Sequence, residues 1–239
     1  MRRSAIYLSD SYAVSESYRT RLASATTVFG HGAPAPDELG GHFDFSDWMG
    51  GQLTKENFLG RWTFLYFGYA RCLGTCQIAA PLLANAARAL RDRGFSAKAA
   101  FVDIEPAPLG MVERIYDDPT AMAHSSNWSK RYAMARLALQ HGTDLEVLTG
   151  SRLQLAKATA AYHVLREHMM PRPGVEDVNI SHSSSIFLIG RDTLMAGYGY
   201  HDMEVETMVE MVERLSVADR NPIDRTAIRL RYISGICGE

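Results

Sequence analysis

The segment that most restricts the fold of this chain is "RWTFLYFGYA", residues 61–70. It is aromatic-rich and apolar at nearly every position. A strand with one face in water alternates polar and apolar residues. A continuous apolar run therefore predicts a strand covered on both faces, in a sheet flanked by helices. The next segment, 73–93, places Ile78, Leu82, Leu83, Ala86, Ala87 and Leu90 at helical spacing, with Arg91, Asp92 and Arg93 near its end and Gly94 as its stop. "AKAAFVDIE" (97–105) reads as a second buried strand. Strand, helix and strand of these lengths make a βαβ unit, with parallel pairing and a right-handed crossover.

Other elements attach to this unit. Residues 1–38 read as a polar N-terminal extension or linker that includes "GHGAPAP". Residues 40–59 suit a short hairpin, with "TKENF" opening a helical turn. "PAPLGMVERIYDDPT" is broken by prolines, and "NWSKRYAMARLALQHG" is an amphipathic helix closed by Gly142. "DLEVLTG" is a short strand. Ser151 then caps a long helix, "RLQLAKATAAYHVLREHM", with Leu153, Ala156, Ala160, His163 and Val164 along one side. After the loop "PRPGVEDVNIS", "HSSSIFLIG" and "TLMAGYGY" form a hairpin turning at Arg191–Asp192. Asp202 caps a last helix, "MEVETMVEMVERLS", and residues 218–239 form a polar tail. The predicted class is α/β: a mixed central sheet flanked by helices and ending in an antiparallel hairpin, over residues 39–217. That is the layout of a thioredoxin-like fold.

Composition removes some functions. Of 239 residues, 46% are hydrophobic, enough for a proper core. The 25 basic residues are balanced by 27 acidic ones, so no basic excess exists to hold a nucleic-acid backbone. "WTFLYFGYA" and "SIFLIG" fall far short of the ~20 apolar residues of a membrane span. Asp10, Ser11 and Glu16 interrupt any apolar signal-peptide core at the N-terminus. Taken alone, the sequence reads as soluble and unexported.

Three cysteines are too few for a disulfide scaffold. Cys237 reads as an incidental thiol near a chain end. Cys72 and Cys76 are different. They fall where the first strand hands over to the helix, at the sheet end where α/β proteins keep their chemistry. A spacing of four lets two sulfurs converge. A helix N-terminus favours thiolate, the form that a redox reaction and a soft metal both require. Two sulfurs leave a metal site incomplete, and His182, before the strand "SSSIFLIG", is the best third ligand. A Cys2His set suits Cu(I) and tolerates Cu(II) or Zn(II). His163 and His168 read as helix-surface or packing residues and His201 as part of a helix start. His31, His42, His124 and His141 carry no signal.

These residues resemble a known family. "GGHFDFSDWMGGQLTKENFLGRWTFLYFGYARCLGTC", "LTGSRLQLAKATAAYHV" and "ISHSSSIFLIGRDTLMAGYGY" are similar, in order, to three segments of Sco/SenC proteins. The resemblance spans roughly 40–215. It implies a thioredoxin-like fold and a copper triad of Cys72, Cys76 and His182. It implies delivery of Cu(I) or Cu(II) to the dinuclear copper site of cytochrome c oxidase or another copper-requiring protein, or thiol–disulfide reduction in support of that assembly. It also implies a periplasmic or otherwise extracytoplasmic setting, with membrane association in the full-length form. Departures are visible. Leu73 and Gln77 replace the family's prolines, Gly74-Thr75 its acidic inter-cysteine residue, and Ser181 the aspartate before the histidine. "DIEPAPLG" and a longer insertion replace the motif after the second strand. Arg71 is expected to favour thiolates at the pair.

Two function classes follow. In the first, a chaperone exchanges copper ligands with a client. In the second, an oxidoreductase cycles Cys72 and Cys76 between dithiol and disulfide, with Cys72 attacking because it is the more exposed. A peroxidase-like use of Cys72 has no support beyond the fold.

Overall fold

The computed structural model describes residues 6–9, 12–14, 27–28, 39–72, 74–105, 126–169 and 179–220. Its strands are β1 (Ile6–Ser9), β2 (Tyr12–Val14), β3 (Thr27–Val28), β4 (Asp44–Asp47), β5 (Gln52–Thr54), β6 (Trp62–Gly68), β7 (Ala97–Asp103), β8 (Glu146–Thr149), β9 (Arg166–Met169), β10 (Asn179–His182), β11 (Ser185–Ile189) and β12 (Met195–Tyr200). The α-helices are α1 (Cys76–Asp92), α2 (Ser126–His141), α3 (Arg152–Ala161) and α4 (Val205–Arg220). The main sheet runs β3-β1-β2-β12-β11-β6-β7-β8-β4-β5, and β9 and β10 pair separately.

The predicted βαβ unit is the centre of this sheet. β6 pairs parallel with β7, and β7 with β8. Every residue of β6 is buried, as a continuous apolar run requires. β11 closes antiparallel on β6, and β12 on β11, which gives the predicted terminal hairpin. The β4–β5 hairpin and its helical turn, Lys55–Asn57, also form as expected. β1–β3 come from the segment read as an extension, and they add to the sheet edge through β2 and β12.

The helices divide between the two faces. Ala79, Ala80, Leu83, Ala84, Ala86, Ala87 and Leu90 bury one side of α1, and small residues there let the helix lie close on the sheet. Ile78, expected on that side, is exposed. α4 packs on α1 through a core of Met208, Val209, Met211, Val212 and Leu215. Arg93 also binds Glu206 and Glu213 across the two helices. Neighbouring residues of a strand face opposite ways. So Phe67, against Tyr162 at the end of α3, lies on the other face from Tyr66.

Two predicted helix boundaries shift. The long helix from Ser151 stops at Ala161, and residues 166–169 form a strand. Val164 N–H donates to Thr159 C=O and His163 N–H to Ala160 C=O, with His163 at φ 49°. This is the six-residue C-terminal closure usually built around glycine. α1 ends the same way around Gly94, at φ 86°. Histidine tolerates the left-handed conformation better than most residues, so the same stop occurs without the glycine that advertises it. Leu153 is exposed, and Leu155, Ala158 and Thr159 face the core instead. The last helix starts at Val205, beyond Asp202, because Met203 N–H first closes a turn onto Tyr200 C=O.

The C-terminal ends of β6, β7 and β8 are joined by a buried charge cluster. Asp103 is fully buried. Its carboxylate accepts from Ala70 N–H at 2.8 Å and Glu105 N–H at 2.9 Å, and Lys130 Nζ stands 3.3 Å away. Lys130 also donates to Thr149 Oγ1 at 2.9 Å and to the Glu105 carbonyl. A buried carboxylate left without its cation is strongly destabilising. Lys130→Met, which keeps the aliphatic stem, is therefore expected to lower unfolding free energy by about 3–5 kcal/mol. Urea denaturation measures this, and a loss below ~1 kcal/mol would show the pair to be dispensable.

Candidate metal centre

Three elements meet at the reactive end. β6 ends at Gly68, the turn Tyr69–Cys72 follows, and α1 begins at Cys76. Cys72 N–H closes the turn onto Tyr69 C=O at 3.0 Å, and Asp103 holds Ala70 from below. Arg71 Nε donates to Glu105 at 3.0 Å, and its guanidinium makes a second bond to the same carboxylate. The guanidinium expected to favour thiolate is thus engaged by Glu105. The cause is geometric: Glu105 lies two residues past Asp103, at the end of the strand beside β6.

Cys76 is the first residue of α1 and is buried, whereas Cys72 is half-buried in the turn before the helix. The sulfurs meet as expected, although only one is on the helix. Gly68 makes this possible. A Cβ added there would lie 2.9 Å from Cys76 Sγ and 2.7 Å from the Phe101 ring, closer than packing allows. No larger residue fits between the strand end and the thiol.

His182, the last residue of β10, completes the group. Its Nε2 is 3.3 Å from Cys76 Sγ. Its Nδ1 is 3.0 Å from the Ser183 carbonyl, which can only accept, so Nδ1 carries the proton. In the neutral ring this leaves the lone pair on Nε2, the nitrogen that faces the sulfur, which is the tautomer a ligating imidazole needs. Tyr66 and Tyr69 flank the ring edge-to-face, at centroid distances of 5.9 and 6.1 Å.

The two thiols are not equivalent. Cys72 is held down to about 5 by a hydrogen bond from Cys76, outweighing burial, with help from the N–H groups of Cys76 and Gly74 and from Tyr69. Cys76 is pushed up, first by giving its hydrogen bond to Cys72 and then by burial. The pair shares one proton, centred on Cys76. Burial, then the charge of Cys72, raises Tyr69 to about 12. Burial raises Tyr66 as well. The buried Tyr66 hydroxyl stands beside Ser184 and Cys76 without a hydrogen bond of ordinary geometry to either.

The structure thus brings Cys76 against Cys72 on one side and against His182 on the other. Among the described residues, no three His, Cys, Asp or Glu side chains are grouped closely enough to hold a metal ion. Of the other described histidines, His141, the last residue of α2, lines the cavity beside Cys72 and Cys76, and the rest lie elsewhere. His163 is exposed, His168 falls on β9, His42 is edge-on to Phe45, and His201 follows β12. His31, His124 and Cys237 lie outside the described residues, as do Leu73 and most of the insertion. Sequence reasoning missed Tyr66, Tyr69, Asp103, Glu105 and Lys130. Two signals were available: the tyrosines precede Cys72 in one short motif, and Asp103 ends a buried strand.

The fold and site define a thioredoxin-like protein with a dithiol at the β6–α1 turn and an imidazole against one of its sulfurs. The chain belongs to the SCO1/SenC family, whose model matches residues 31–216. It is 28% identical over 176 residues to the mitochondrial protein SCO2 homolog of Mus musculus, covering 73% of this chain and 61% of that protein. The chain thus spans about three fifths of the length of this curated relative. Its fold matches the copper-bound ScoI of Arabidopsis thaliana with TM-score 0.59 and 20% identity, covering 74% of this chain and 97% of that one. It also matches BsSco, described as a member of the Sco family of cytochrome c oxidase assembly proteins with a disulfide switch. There the TM-score is 0.50 and the identity 15%, over 76% of this chain and 95% of that one.

Reactivity tests the thiol asymmetry. Protonating Cys72 removes its nucleophile, so alkylation should slow as pH falls through the folded-state value. Iodoacetamide acting on reduced, metal-free protein is expected to modify Cys72 first, with a midpoint near 5. A midpoint at ~8.5, the ordinary thiol value, would show that the sulfur pair is not hydrogen-bonded in solution.

Proposed function

We propose that this chain is a copper-binding chaperone. Cys72, Cys76 and His182 hold Cu(I) between two thiolates and one imidazole, and a client's ligands replace them one at a time. The client is the dinuclear copper site of cytochrome c oxidase or another copper-requiring protein. The functional unit is residues 39–217, working outside the cytoplasm. The observation that carries this reading is His182 Nε2, 3.3 Å from the buried sulfur, with Nδ1 against a carbonyl. A dithiol reductase has no use for an imidazole fixed in that tautomer. Copper in the related Arabidopsis structure supports the choice of metal. Among the described residues, no helix is long and apolar enough to cross a membrane.

The donor set fits the cargo. Thiolate and imidazole are the ligands Cu(I) selects, and the shared proton leaves as copper enters, which couples loading to pH. Titration of reduced protein is expected to show one Cu(I) per chain. Cys72→Ser and Cys76→Ser should each abolish tight binding. His182→Ala should weaken it by at least ~10-fold, since even outer partners of ligands contribute that much. One-equivalent binding that survives all three substitutions would overturn the assignment.

The thiol asymmetry favours a second reading, a thiol–disulfide oxidoreductase. The Cys72 thiolate would attack a substrate disulfide and release one thiolate, and Cys76 would then resolve the mixed disulfide. The disulfide switch described for BsSco is consistent with this. Metal-free disulfide turnover that is unchanged in His182→Ala would favour the reductase.

A further inference from the structure

A cavity of about 340 Å3 opens beside the thiols, between the start of α1 and α2. That volume is at the lower end of the range for small-molecule sites. Cys72 and Cys76 line it together with one face of α2, including Arg136, Leu137 and Gln140. Among the described residues, no carboxylate lines it. Other cations near this end are paired: Arg71 with Glu105, Lys130 with Asp103, Arg88 and Arg91 with Asp144. Arg136, in contrast, makes no hydrogen bond or ion pair with any side chain described here, and the exposed amides of Gln77 and Gln140 make none either. The cavity therefore combines a guanidinium and two amides without partners among the described residues, the His141 imidazole, an apolar stretch at Leu137 and Pro81, and two soft sulfurs.

Each part selects a feature of the ligand. A guanidinium with amide neighbours takes a carboxylate. Leu137 and Pro81 take an aliphatic stem. The sulfurs can exchange with a soft donor bearing copper. We propose that this cavity is a loading site for a low-molecular-mass thiol bearing carboxylates, a cysteinyl peptide in chemical class, that arrives holding Cu(I). The proposal rests on the copper reading above. In the transfer, the Cu(I)–sulfur bond of the carrier breaks as a Cu(I)–sulfur bond to the protein forms. Copper stays Cu(I), so no electron moves. The departing carrier thiolate takes the proton released by the incoming protein thiol. Arg136 touches only the carrier and acts by raising the local concentration of its copper at the sulfurs.

Glutathione, its S-methyl derivative and mercaptoethanol are the probes. S-methylglutathione cannot carry copper through a thiolate. It is expected to bind metal-free protein saturably, by calorimetry and by NMR shifts on α1 and α2, and to bind at least ~10-fold more weakly to Arg136→Glu, which loses a charged hydrogen-bond partner. In stopped flow, Arg136→Glu is expected to slow loading from Cu(I)–glutathione by a similar factor. Loading from Cu(I)–mercaptoethanol, which has no carboxylate, should be unchanged, as should the equilibrium Cu(I) affinity. Arg136 is exposed, so the variant should fold normally. Failure of S-methylglutathione to bind, or equal loading rates from both carriers with copper uptake intact, overturns the loading site alone. A protein that takes copper from neither carrier overturns the copper reading, and the loading role with it.

Discussion

A carboxylate with no access to water organises the reactive end of this protein. Asp103 ends β7, and burying its charge is costly unless it is paired and hydrogen-bonded. It is both: Ala70 N–H and Glu105 N–H donate to it, and the Lys130 ammonium pairs with it. Those bonds tie the turn after β6 to the end of β7 and to α2. Arg71 and Glu105 add a second tie across the same gap. The turn that carries Cys72 is therefore held by long-range partners. Local spacing alone would leave its sulfur free to point anywhere.

With the turn fixed, small differences in surroundings make two identical side chains behave differently. Cys76 is walled in by Gly68, Phe101 and Tyr66, while Cys72 keeps an opening and collects backbone N–H groups. One sulfur becomes the thiolate and the other keeps the proton. Chaperone and reductase both need such a pair, because each must hold a soft partner and then let it go. On the copper reading proposed above, His182 separates the two functions. Its tautomer is set by the next residue's carbonyl, and its ring is held between two tyrosines, so the imidazole meets the buried sulfur already oriented.

Legibility followed the range of the interactions. Continuous apolar runs predicted β6 and β7, and Gly94 predicted the end of α1, because strand burial and glycine stops are local properties. The end of α3 was hidden because His163 takes a backbone shape that glycine usually advertises. The buried side of α1 was legible except at Ile78, which falls beside the stripe that Cys76, Ala79, Ala80, Leu83 and Ala87 bury. The contribution of Arg71 was misjudged because its partner is 34 residues away. The strands β1–β3 were read as extension because their pairing depends on an edge that only the folded sheet offers.

The sequence by itself determined the βαβ centre, the place of the two cysteines at its C-terminal end and the candidacy of His182. Each follows from patterns within a few residues, or from a resemblance carried by three ordered motifs. Tertiary structure decided which sulfur holds the proton, which nitrogen of His182 faces it, where the charge of Arg71 goes and that a cavity lined by Arg136 lies alongside. These depend on contacts between residues far apart in the chain, and such contacts exist only once the sheet has closed and its buried charges have found their partners.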